Sequence, residues 1–118
     1  MPERRSVHGY PRVARVNEVL REVIAEELRE IDDERLALVS ITGVETDPDL
    51  RHARVWVSSM PEEVAEVLRH SRRRLQAAIG RQVRLKWTPE LAFEADPAIA
   101  SGARVEDILR DLRKEDEE

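Results

Sequence analysis

Apolar positions recur at three- and four-residue steps through Val13, Val16, Leu20, Val23, Ile24, Leu28 and Ile31. That spacing lines one face of a helix of about five turns, beginning near Arg12. Arg15, Glu18, Glu22, Glu26 and Arg29 fall mostly outside the stripe, and Asp32-Asp33 ends it. From Leu36 to Thr42 the chain is rich in strand formers, with Val39 and Ile41 in phase, Gly43 intervening and Val44 one position out of step. A bulge at Gly43 accounts for the slip. Thr46-Asp47-Pro48-Asp49 is turn chemistry, so a hairpin is expected. Its second strand alternates cleanly, Ala53, Val55 and Val57 to one side and Arg54, Trp56 and Ser58 to the other.

Pro61-Glu62-Glu63 opens the next helix, with proline in the first turn and acids at the positive end of the dipole. Val64, Val67 and Leu68 give it an apolar face, which resumes at Leu75, Ala78 and Ile79 and stops at Gly80. His70-Ser71-Arg72-Arg73-Arg74, between the two stripes, is too polar for a core and predicts a kink or two abutting helices. Val83, Leu85 and Trp87 alternate with Arg84, Lys86 and Thr88 as a third strand, Leu91 and Phe93 keeping the inward phase beyond Pro89 at an edge or bulge. Residues 101–114, with Val105, Ile108, Leu109 and Leu112 in register, predict a short amphipathic C-terminal helix. The class is therefore α+β, in the order α-β-β-α-α-β plus that helix. Residues 1–11 read as a flexible arm, 12–113 as the domain and 114–118 as an acidic tail. Ile24, Val39, Val55, Leu75, Leu85 and Phe93 are the expected core between helices and sheet.

A length of 118 residues fits one domain. The absence of cysteine excludes disulfides, cysteine-held zinc and thiol catalysis, and favours an intracellular protein. No apolar run is long enough to span a membrane and the first residues make no signal peptide, so a cytoplasmic address is expected. The net charge of -5 argues against a nucleic-acid partner until it is followed along the chain. Between Arg69 and Lys86 lie seven basic residues and no acidic one, so this window is +7 and the remainder -12.

No catalytic constellation emerges. His8, His52 and His70 are isolated, the serines have no base at a useful spacing, and the scattered glycines make no phosphate loop. The acids sit in helical or capping contexts. The chain reads as a non-enzymatic binding protein without metal or cofactor. Arg72, Arg74, Arg81, Arg84 and Lys86 are expected to form one positive surface for a phosphate backbone. The competing expectation is a solvated helix face paired with Glu62, Glu63 and Glu66. Trp56 is placed either to stack on a base or against the C-terminal helix.

Five segments together resemble the ribosome-binding factor A family. They are Arg15-Val16-Asn17 with Ile24 and Leu28, Asp33-Glu34-Arg35-Leu36, Val39-Ser40-Ile41-Thr42-Gly43-Val44-Glu45, residues 49–58, and the run Arg84-Leu85-Lys86-Trp87-Thr88-Pro89-Glu90-Leu91-Ala92-Phe93. The resemblance implies a type II KH-like fold with helices on one face of a three-stranded sheet. It also implies a monomeric, non-enzymatic assembly factor that binds immature 30S subunits through 16S rRNA and supports late 16S rRNA maturation and growth in the cold. The family carries an Ala-x-Gly kink between its central helices where this chain has Ser71-Arg72-Arg73, without the glycine. With that kink, the expected RNA contacts are Arg54, Arg69, Ser71, Arg72, Arg73, Arg74, Arg81, Arg84 and Lys86. The alternative is an interaction module whose acidic surface docks a basic ribosomal protein.

Overall fold

The computed structural model describes residues 12–99, so the expected arm, C-terminal helix and acidic tail lie outside the described residues. The chain forms helix α1 (Arg12–Arg29), a 3-10 turn (Glu34–Leu36), strands β1 (Ile41–Thr46) and β2 (His52–Val57), helix α2 (Glu62–Gln82) and strand β3 (Glu90–Ala95). The sheet order is β1-β2-β3, with β1 and β2 antiparallel and β2 and β3 parallel. The parallel pair requires a crossover, which α2 supplies. Both helices pack on one face of the sheet.

α1 buries Val16, Val19, Leu20, Val23 and Ile24, as its spacing predicts. β2 alternates as expected, Ala53, Val55 and Val57 buried against the helices and Arg54 exposed on the open face. The register shift between Ile41 and Gly43 is the expected bulge. It lets Ile41 and Val44 both face the core although they are three positions apart.

Two expectations need correction, the start of the first strand and the break between the central helices. β1 starts at Ile41, because the Asp33 side chain accepts from the Arg35 N–H and caps a 3-10 turn over residues that look strand-like. Leu38, 94% exposed, belongs to no strand. The two central helices are one continuous helix that passes through the arginine run and past Gly80, closed by the Val83 N–H on the Ile79 carbonyl at 2.8 Å. Ser71 occupies a core-facing position between Leu68 and Leu75, so a buried serine masks an unbroken stripe. Arg73 is ordinary helix, since Leu50 (φ 61°) is the one described non-glycine residue in the left-handed region.

The third strand also shifts. Residues 84–89 are irregular, and β3 runs from Glu90 to Ala95, where six residues match the six of β2 in parallel register. Proline has no N–H to give a ladder, and Pro89 sits buried just before the strand. Within the expected core, Ile24, Val55 and Leu75 are fully buried, whereas Val39, Leu85 and Phe93 are half-buried at its margin. Among the described residues no helix is long and apolar enough to cross a membrane.

Candidate nucleic-acid interface

A continuous helix turns by about 100° per residue, so adjacent arginines diverge. Arg72 and Arg74 lie roughly 160° apart around the axis of α2. Arg74 turns toward α1, where its Nε donates to Glu27 Oε1 at 2.9 Å. Arg72 turns toward β3, on the flank where the Leu91 N–H donates to Gln76 one turn later. There it shares a depression of about 470 Å³ with Arg54 and the acids Glu45, Asp47 and Glu90. Its own Nε is buried without a hydrogen-bond partner. Arg73 is exposed to solvent between them. The single positive surface expected from the sequence is therefore split by the helix that carries it.

Two more expected contacts are held by acids. Arg69 pairs with Glu62 at 3.2 Å, one of the acids named by the competing expectation, and Arg54 pairs with Glu94 across the open sheet face at 2.9 Å. Ser71 is buried against the core and offers no surface to a ligand. Trp56 is half-buried on the open face beneath Arg54, at 5.5 Å. Register places Glu45 opposite Arg54, and Glu90 and Glu94 on the same face from β3, so this face is acidic.

Three cations without an ion pair among the described residues, Arg12, Arg51 and Lys86, gather at one end of the molecule, while Arg29 and Arg72, also without one, line other depressions. α1 and α2 run antiparallel, as Arg35 near Glu66 at one end and Arg74 on Glu27 midway show. Arg12 thus meets the loop that follows α2, and it lines a depression of about 220 Å³ with Pro48, Asp49, Leu50, Leu85, Lys86 and Trp87. Trp87, expected as an inward strand residue, is instead 49% exposed. The Arg51 guanidinium lies 4.9 Å and the Lys86 ammonium 5.4 Å from its ring centre. Among the described residues Arg12, Arg51, Arg81, Arg84 and Lys86 make no ion pair. Arg12, Arg51 and Trp87 were missed by sequence reasoning. Arg51 lies outside the basic window, and the alternation of residues 83–87 disguises a loop as a strand.

The turn that carries Arg51 is fixed from both sides. Asn17 Oδ1 accepts from the Thr46 N–H at 2.9 Å and the Thr46 hydroxyl at 2.7 Å, tying the end of β1 to α1. The Arg51 N–H donates to Asp49 at 3.0 Å and its carbonyl accepts from Glu90 at 2.8 Å. The same turn brings Asp47, Asp49 and His52 together, a grouping not visible in spacing, but all three are exposed and already serve the turn. A further cleft of about 450 Å³, lined by Leu28, Ile31, Leu36, Val39 and Ile41, lies between α1 and β1 with one cation, Arg29. At that end the Arg35 hydrogen bonds hold Asp33 below the usual carboxylate range, and the Thr42 hydroxyl and Ala98 N–H do the same for Asp96.

Comparison with known proteins agrees with this architecture. Residues 12–109 match the family model of ribosome-binding factor A. The ribosome-binding factor A of Rubrobacter xylanophilus is 40% identical over 110 residues, 89% of this chain and 90% of that protein. That of Azoarcus sp. is 40% identical over 114 residues, 92% of this chain and 90% of that protein. The crystal structure of the Thermus thermophilus protein aligns with a TM-score of 0.66 at 31% identity, over 75% of this chain and 97% of that one. A Thermus thermophilus model fitted into a cryo-EM map of a 30S complex aligns with a TM-score of 0.60 at 31% identity, over 69% and 91%. The chain belongs to the ribosome-binding factor A family.

Proposed function

We propose that the protein is a non-enzymatic assembly factor of the small ribosomal subunit in the cytoplasm, binding immature 30S particles through 16S rRNA and supporting late maturation of that RNA. The observation that carries the RNA-binding part is the collection of unpaired cations around Trp87, on a chain whose family includes a protein fitted into a 30S complex. Phosphates pair with cations that need not first abandon a carboxylate. Arg12, Arg51, Arg81, Arg84 and Lys86 are the contacts this reading favours, with Arg72 and Arg73 accessory. Arg54, Arg69 and Arg74 serve the fold.

A second reading has support in one observation, the acidic open face with Glu45, Glu90 and Glu94, which suits a basic ribosomal protein. Co-sedimentation separates the two. On the RNA reading the protein travels with immature small subunits and not with mature ribosomes, and Arg84→Glu with Lys86→Glu releases it. Release by Glu90→Gln with Glu45→Gln, and not by the charge reversals, would favour protein docking.

A further inference from the structure

Trp87 is a large apolar side chain left half in solvent with two cations against its ring. Neither cation has a carboxylate partner among the described residues, and of the groups lining the adjoining depression Asp49 alone is acidic. An indole with unpaired cations over its ring matches an unpaired base and its flanking phosphates, because every base offers a π-face and every nucleotide an anion. We infer that Trp87 is a stacking platform for one unpaired base of single-stranded RNA, with Arg51 and Lys86 moving from the ring to the neighbouring phosphates. This deepens the RNA-binding reading and rests on it.

The site is built before the ligand arrives. Leu50, at φ 61°, and the Leu50 N–H on the Asp47 carbonyl at 2.8 Å fix the turn, and both backbone groups of Arg51 are bonded. Little ordering is left for binding to impose. Trp56 is the internal contrast, since its arginine is committed to Glu94 and the face around it repels phosphate. A duplex keeps its bases stacked inside, so the platform selects single strands.

The test uses the full chain with a short oligouridylate, free and annealed to its complement, alongside co-sedimentation with small subunits. In Trp56→Phe the remaining Trp87 fluorescence is quenched by the single strand and much less by the duplex; in Trp87→Phe the remaining Trp56 is not quenched. Trp87→Ala and Trp87→Leu lower single-strand affinity about tenfold with the salt slope kept, while Trp87→Phe stays near the parent. Arg51→Ala lowers the salt slope by roughly 0.7. Quenching of Trp56 in place of Trp87, or a Trp87→Leu variant that binds as tightly as the parent, overturns the platform. If those variants also co-sediment like the parent, the small-subunit reading stands without it. If the parent binds neither oligonucleotide nor subunit, both fall.

Discussion

The middle of α2 and the loop that follows it are both rich in cations, yet they spend them differently. In the helix, Arg69 and Arg74 are tied to Glu62 and Glu27, and the regular turn sends Arg72, Arg73 and Arg74 to three different surroundings. In the loop, irregular backbone lets Lys86 and Trp87 be presented beside Arg51 and Arg12, which come from distant parts of the chain. A basic run in sequence is thus not a basic patch in space. Neighbours along a helix separate, and what converges is decided by the turn at residues 47–51 and by the antiparallel packing of α1 on α2.

The largest effect expected is on what both regions share. Leu75 lies fully buried one turn beyond Ser71, under the arginine run, and its side chain packs with Leu20 and Ile24 from α1 in one cluster. Leu75→Ala leaves a cavity and costs about 2–5 kcal/mol in urea unfolding. A loss under about 1 kcal/mol would mean that the helix does not rest on this core.

A smaller change sharpens the difference between the regions. Asn17→Ala strips the partner from two buried Thr46 donors at the root of the turn, costing about 1–3 kcal/mol. It should also weaken RNA binding, because Arg51 stands on that turn. A variant destabilised to that extent that binds RNA normally would separate the turn from the interface.

Smaller again is Arg73→Gly. In a plain exposed helix it costs about 1 kcal/mol; stabilisation would show a bend at this point that favours glycine. Gly80→Ala is the mirror experiment. A Cβ there would meet Thr88 Oγ1 at 3.5 Å, an ordinary contact, so the variant gains up to about 1 kcal/mol.

The smallest effect concerns the end remote from the loop. Asp96 titrates below its unfolded value because Thr42 donates to it at 2.7 Å. Its contribution is present at neutral pH and is lost as pH falls through the acid range. Thr42→Val should flatten the fall in melting temperature below about pH 4, the region of the unperturbed carboxylate. An unchanged acid profile would show that this hydrogen bond carries none of the pH dependence.

Much of the fold was legible because its signals are local. The α1 stripe, the alternation of β2, and the Gly43 slip each follow from the period of a single element. The failures came where a local pattern was overruled from outside. Ser71 looked like an interruption because sequence does not reveal that a small hydroxyl can fill a core position between Leu68 and Leu75. Val83, Leu85 and Trp87 alternate like a strand, but the chain passes from buried at Val83 to half-exposed at Trp87, since the sheet edge is already set by Glu90 pairing with His52. The basic window was visible as composition. Which of its members remain free of carboxylates was not, because Glu27, the partner of Arg74, comes from another element.

The most direct measurement is the salt dependence of binding to small subunits for two double variants matched in charge. Arg84→Ala with Lys86→Ala should weaken binding and lower the slope of log K against log salt by roughly 1.4, about 0.7 for each single-stranded phosphate that no longer meets a cation. Arg69→Ala with Arg74→Ala should leave the slope unchanged while costing some stability. The opposite pattern, a slope that drops with the helix pair and holds with the loop pair, would contradict the account.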